Sequence, residues 1–173
     1  MELAELYQLT EQYGNVLYAF CIQLAGSRQE GEDLYQETFL KAVELHVQID
    51  RARNPKSFLI AVAAHLWRNR RRKYAWRQRI APTEPLSEQV EQSEATLEEG
   101  PEYVAIQREL EQQVCRAVAA LPDKLKLPVY MYYIADLSTE EIAGLLHIPA
   151  GTVKSRLYKA RKILRDVLGG AME

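Results

Sequence analysis

The sequence predicts an all-α fold: two small helical domains joined by a flexible acidic linker, the second domain holding a helix-turn-helix. Three observations carry this. Apolar residues recur at helical intervals along most of the chain, with no convincing strand pattern and no internal repeat. The stretch APTEPLSEQVEQSEATLEEG from Ala81 to Gly100 keeps neither period and holds two prolines and many acids, the composition of a flexible linker. Finally, LSTEEIAGLLHIPAGTVKSRLYKARKIL from Leu137 to Leu164 reads as a short helix, a tight corner and a longer helix. At 173 residues the chain has room for one or two small cores, which places the domains at 1–80 and 102–170 and the linker at 81–101.

Residues 3 to 25 make the first predicted helix, with Leu6, Leu9, Tyr13, Leu17, Phe20 and Leu24 at helical intervals. Gly26-Ser27 ends it. Ser27 or a neighbour starts the next helix, where Glu30, Glu32 and Asp33 suit the positive end of the helix dipole. That helix runs to about Val47 and draws its core from Leu34, Tyr35, Thr38, Phe39, Ala42, Val43 and Leu45. Asp33, Gln36, Glu37, Leu40 and Lys41 form a separate ridge at i, i+3, i+4, i+7 and i+8. Such a ridge is either simply solvated or a docking strip for a basic partner. Gln48 to Pro55 is a connection, with Asn54-Pro55 as a turn signal.

The next helix spans Ser57 to about Arg79, with Leu59, Val62, Ala63 and Leu66 as its inner stripe. Its far half, WRNRRRKYAWRQR, carries bases that include Arg68, Arg70, Arg71, Arg72 and Lys73 among the aromatics Trp67, Tyr74 and Trp76. Basic side chains track phosphates and interleaved aromatics stack on exposed bases. The plainer alternative is a nonspecific basic tail with Trp67 in the core. Beyond the linker, Tyr103, Ile106, Leu110, Val114, Ala117 and Leu121 step regularly along a helix from Pro101 to Leu121. A further helix lies within Leu125 to Ala135, with Pro128 in or near its first turn.

In the final pair, Ser138 with Glu141 spells a capping box. Ile142, Ala143, Leu145 and Leu146 give the short helix its apolar side, and Pro149 both breaks it and suits the start of the next. Val153, Leu157, Ala160, Leu164 and Val167 then form a buried stripe. Lys154, Ser155, Tyr158, Lys159, Arg161, Lys162 and Arg165 fall on the opposite side. Lys154 to Arg165 contains six bases and no acid, whereas the outer face of an ordinary solvated helix mixes signs. The width and charge suit a DNA major groove.

Net charge is only −2, but residues 51 to 80 carry ten bases and no acid, while 1 to 50 and 81 to 113 each carry nine acids. Two basic surfaces set apart by acidic ones point to a polyanion held at two places. The linker acids either keep that segment extended or occupy a cationic channel meant for nucleic acid. Cys21 and Cys115 lie in apolar helical patterns and read as reduced core thiols of a cytoplasmic protein. The three histidines have no ligand spacing, so neither metal nor cofactor is expected. The chain shows no signal peptide and no membrane-spanning run. It also lacks a phosphate loop, a nucleophile-histidine pattern and carboxylates at catalytic spacing, which argues against an enzyme.

Taken together, GEDLYQETFLKA at 31 to 42 and LPDKLKLPVYMYYIADLSTEEIAGLLHIPAGTVKSRLYKARKIL at 121 to 164 resemble the bacterial RNA polymerase sigma factors of the extracytoplasmic-function class. These are minimal sigma factors with only regions two and four, and the resemblance covers essentially the whole chain. It implies that Asp33, Gln36 and Glu37, with Leu40 and Lys41 on the same ridge, dock on core RNA polymerase. It implies that the loop from Gln48 to Asn54, with Arg51, Arg53 and Asn54, captures a flipped base of the upstream-ten promoter element. The helix after it, with Arg68, Arg71, Arg72 and Lys73, would grip that element. Thr152, Lys154, Ser155, Tyr158 and Lys159 match positions facing the upstream-thirty-five element, with Arg156 and Arg161 on phosphates.

The resemblance also implies an anti-sigma partner, no membrane insertion, and a monomer when free of partners. Two local departures stand out, the first being that Trp67 and the Arg70 to Lys73 cluster make the region-two DNA helix more cationic than is typical. Family members commonly carry an IARN-like run followed by an aspartate, where this chain has Val62-Ala63-Ala64-His65 and then Asn69. An ordinary helix-turn-helix regulator is the competing class, but a sensor domain needs neither a second basic surface nor a docking ridge.

Overall fold

The computed structural model describes residues 3–46, 54–82 and 101–171. Arg51, Arg53, the rest of the loop up to Asn54 and nearly all of the linker lie outside the described residues. Seven helices follow one another with no strand among the described residues: α1 (Leu3–Ala25), α2 (Arg28–Glu44), α3 (Pro55–Ile80), α4 (Pro101–Ala119), α5 (Asp123–Tyr133), α6 (Thr139–Leu146) and α7 (Ala150–Ala171). They group into two compact units, Met1–Glu91 and Gln92–Glu173.

In the first unit α1, α2 and α3 pack against one another. Gly26 stops α1 in a left-handed conformation at φ 83°, which glycine adopts without a Cβ clash. Ser27 then caps α2 by accepting the Glu30 amide. Leu17, Phe20, Cys21 and Leu24 of α1 are buried, as are Leu34, Thr38 and Ala42 of α2 and Leu59, Ile60, Ala63, Ala64 and Trp67 of α3. The buried Thr38 hydroxyl donates to the Leu34 carbonyl at 2.6 Å, so no donor is stranded there. Cys21 is free, and burial pushes its thiol up to about 12, which keeps it protonated and unreactive.

Sequence expectations for this unit need four corrections. Helix α2 ends at Glu44, with the Leu45 amide returning to Lys41, and Val43 is exposed instead of core. Helix α3 begins two residues earlier than the periodicity indicated. Asn54 is its N-cap, accepting the Ser57 amide at 3.3 Å, and Pro55 takes the first helical position. Leu66, read as part of the inner stripe, is only half-buried.

In the second unit α7 packs against α4, α5 and α6, and α6 also meets α5. Met131, Leu137, Ile142, Val153, Leu157 and Ala160 are all buried. The capping box on α6 is complete: Ser138 Oγ accepts the Glu141 amide at 3.1 Å, and the Glu141 carboxylate accepts the Ser138 amide at 2.8 Å. His147 closes α6 in the left-handed region at φ 54°, and the amides of His147 and Ile148 both return to the Ala143 carbonyl. Pro149 then opens α7 by accepting the amides of Thr152 and Val153. Replacing the capping side chain, Ser138→Ala, is expected to cost about 1 kcal/mol, measured as a shift in the thermal melt of helical circular dichroism. An unchanged melt would mean the box adds nothing.

Helix α5 starts at Asp123, so Pro128 sits inside it and not in its first turn. The proline removes one backbone hydrogen bond, and its full burial in the core offsets that loss. The stripe expected on α4 is not a core stripe. Ile106, Leu110 and Val114 are exposed, and burial begins only at Val118 and Leu121; the side chain of Tyr103 lies outside the described residues. On α7 the apolar face is buried through Ala160, half-buried at Leu164 and exposed at Val167.

Candidate nucleic-acid and polymerase interfaces

The helix-turn-helix presents α7 as the sequence anticipates. With Val153, Leu157 and Ala160 buried on one side, Lys154, Ser155, Tyr158, Lys159, Arg161, Lys162 and Arg165 are exposed on the other. Tyr158 is 69% exposed, so its ring stands in the middle of this cationic face. Thr152 and Arg156 are half-buried at the edge of this face. Glu140, near the start of α6, is held below the ordinary carboxylate value. Its own backbone amide contributes most, then the Thr139 hydroxyl at 3.0 Å, and to a smaller extent the positive charge of Lys154. Arg161 does not extend freely. Its Nε donates to the Tyr133 hydroxyl at 2.7 Å, and its guanidinium lies against the rings of Tyr132 and Tyr133.

The other basic surface is the far half of α3. Arg68, Arg71, Arg72 and Lys73 are exposed, and Arg71 lies over the Trp67 ring at 5.8 Å. The aromatics divide. Trp67 is core, only 6% exposed, whereas Trp76 is 65% exposed and Tyr74 also faces solvent. Of the three, only Tyr74 and Trp76 have rings open to a base. Asn69, in place of the family's aspartate, joins its neighbours: its amide lies 3.1 Å from His65 Nε2 and its carbonyl accepts from Arg72. Asn54 is occupied in part by its capping bond to Ser57.

On α2 the ridge exists as a surface feature: Asp33, Gln36, Glu37, Leu40 and Lys41 are all exposed, while Leu34, Thr38 and Ala42 turn inward. Leu40, at 68% exposed, is the apolar centre of this strip. Lys41 pairs with Glu44 at 2.7 Å. Glu37 pairs with Arg70 of α3, and the same guanidinium reaches the Glu30 carbonyl at 3.4 Å. Sequence reasoning did not foresee the roles of Arg70, Tyr132 and Tyr133. Their contacts bridge 33 residues for Arg70 and 28 for Tyr133, so no local spacing could have signalled them. Among the described residues there is no cluster of metal-binding side chains, and no helix is long and apolar enough to cross a membrane.

Two family matches fall on these two surfaces in order. Sigma-70 region 2 matches residues 9–77, and sigma-70 region 4 matches residues 111–164. The chain is similar to the ECF RNA polymerase sigma factor SigW of Bacillus subtilis, at 31% identity over 166 residues, covering 92% of this chain and 87% of that one. The chain belongs to the ECF RNA polymerase sigma factors. SigL of Mycobacterium tuberculosis is 31% identical over 171 residues, covering 96% of this chain and 90% of its own length. Among solved structures, the sigma factor RpoE in complex with the anti-sigma factor NepR from Bartonella quintana shares the fold, with a TM-score of 0.77 at 22% identity. That match covers 94% of this chain and 97% of RpoE. CnrH in complex with the cytosolic domain of CnrY follows, at a TM-score of 0.69 and 18% identity, covering 98% and 90% of the two chains. As an ECF sigma factor the chain serves promoter-specific initiation of transcription, and its family is one of regulatory DNA-binding proteins.

Proposed function

We propose that the chain divides the work of initiation between its two units. The first unit, 1–80, docks on core RNA polymerase through Asp33, Gln36, Glu37, Leu40 and Lys41. With Arg51, Arg53, Asn54, Arg68, Arg71, Arg72 and Lys73 it takes and opens the upstream-ten element. The second unit, 102–170, reads the upstream-thirty-five element through Thr152, Lys154, Ser155, Tyr158 and Lys159, with Arg156 and Arg161 on the backbone. The acidic linker at 81–101 sets how far apart the two grips can reach. The observation that carries this reading is the pair of exposed cationic helices, α3 and α7, on separate units whose sequences match regions 2 and 4.

Opening needs a protein surface to offset the stacking that a displaced base gives up. The exposed rings of Tyr74 and Trp76 beside the α3 bases are suited to that. RpoE and CnrH are each seen with a partner that their structures describe as, respectively, an anti-sigma factor and a cytosolic domain of CnrY. This supports an anti-sigma partner for the present chain, which acts in the cytoplasm as a monomer when free.

Run-off transcription with core polymerase on a promoter library tests the whole assignment. A defined set of start sites sharing two upstream elements is the expected result, and random or absent initiation would refute it. Within α7, Lys159→Ala is expected to weaken binding by about 1–3 kcal/mol on the preferred upstream-thirty-five sequence. A loss of equal size on every sequence variant would move Lys159 from a base edge to a phosphate.

A further inference from the structure

Arg161 differs from the other bases on α7 in being held. Its Nε donates to Tyr133 Oη at 2.7 Å, and its guanidinium carbon lies 5.6 Å and 5.7 Å from the ring centres of Tyr132 and Tyr133. The two rings meet edge to face, 4.9 Å apart at 76°, and both belong to the last turn of α5. A long cationic side chain ordinarily loses rotamer entropy when it grips an anion. One already fixed by a hydrogen bond and two aromatic faces loses much less. With Nε engaged, four N–H donors remain on the two terminal nitrogens, more than the lesser bond to Tyr132 uses, so a phosphate can still accept from that pair side by side. Tyr133 is 57% exposed, and because its oxygen accepts from Arg161 its own O–H is left to donate outward.

We propose that Tyr133 is a positioning residue for promoter binding: with Tyr132 it sets the Arg161 guanidinium, and its hydroxyl joins Arg161 on the same DNA phosphate. This rests on the reading that the outer face of α7 lies on promoter DNA. It adds a DNA-facing role for the end of α5, a helix whose other residues from Leu125 to Met131 are mostly core.

The test uses the full chain and a duplex carrying the upstream-thirty-five segment of a promoter recovered from the run-off library, titrated over a series of salt concentrations. Tyr133→Phe is expected to weaken binding roughly fivefold, as befits the loss of one solvent-exposed hydrogen bond, and equally on all sequence variants. The salt slope should stay as in the unsubstituted chain, because no charge is removed. Arg161→Ala should instead lower that slope by about one phosphate, and adding Tyr133→Phe to it should cost clearly less than Tyr133→Phe costs alone, because only the direct hydroxyl–phosphate bond is then left to lose. Arg161→Lys, which keeps the charge but lacks Nε, should lose about as much affinity as Tyr133→Phe.

A Tyr133→Phe variant that melts earlier yet binds with unchanged affinity would make the aromatic cage a mere staple between α5 and α7 and overturn the proposal. So would an additive loss in the double variant. If Arg161→Ala and Lys159→Ala both left duplex affinity untouched, the placement of α7 on DNA would fall, and the proposal with it.

Discussion

Glu37→Lys is expected to abolish run-off transcription with core polymerase while barely moving the thermal unfolding of the chain. Glu37 is exposed on the proposed docking ridge between Gln36 and Leu40, and its ion pair with Arg70 is a surface pair. Pairs of that kind are worth about 0–1 kcal/mol, so placing an ammonium opposite the Arg70 guanidinium costs the fold little. At an interface the same reversal is far more damaging. It leaves a charge facing its like across a desolvated contact, a loss of about 2–5 kcal/mol.

Arg70→Ala separates the two effects, since it removes the internal pair and keeps the docking carboxylate. Polymerase capture by the Arg70→Ala chain should persist where that by Glu37→Lys fails. Equal capture of both variants by immobilised core polymerase would remove Glu37 from the docking surface.

A second large effect is expected at the crossing of α1 and α2. A Cβ at Gly31 would lie 2.6 Å from Ile22 Cα, closer than real Cβ atoms approach, and 3.1 Å from its amide nitrogen, which is also tight. Alanine is the better helix former by roughly 0.5–1 kcal/mol, but here it can be housed only by prying the two helices apart. Overpacking of this kind costs about 1–3 kcal/mol and outweighs the propensity gain. Gly31→Ala should therefore lower the denaturant midpoint of the first unit. Fluorescence isolates that unit, because both tryptophans, Trp67 and Trp76, lie in α3. Gly144 makes the control: nothing would meet its Cβ within 4 Å, so Gly144→Ala should stabilise the second unit slightly by circular dichroism. A stabilising Gly31→Ala would mean that α1 and α2 do not cross as closely as described.

The helix-turn-helix was legible because everything that makes it is local. A cap at Ser138, its partner Glu141 three residues on, a proline at 149 and an apolar stripe can all be read within one short stretch. The exposed ridge on α2 was legible for the same reason, as helical spacing alone separates Asp33, Gln36, Glu37, Leu40 and Lys41 from Leu34, Thr38 and Ala42. Expectations failed where a second element decides the outcome. Periodicity puts Ile106, Leu110 and Val114 in a stripe on α4 and Val167 at the end of another on α7, but a stripe is buried only where another helix covers it.

Asn54-Pro55 carries the chemistry of a helix start as well as that of a turn, and only the structure distinguishes them. Propensity puts Pro128 near a helix start, and the packing of α5 instead keeps it in the middle. Trp67 and Trp76 look alike in a basic run, yet the turn of α3 sends one into the core and the other to solvent. The cage around Arg161 had no sequence signal at all.

The central claim is that one chain grips two segments of a single promoter and does so together with polymerase. Probing an active promoter from the library for protection and for single-strand-specific base reactivity, with the chain alone, core polymerase alone and both together, tests it most directly. The account predicts protection of both upstream elements and reactive bases at the upstream-ten element only when both are present. Protection of a palindromic duplex site by the chain alone, with no reactive bases when polymerase is added, would contradict it.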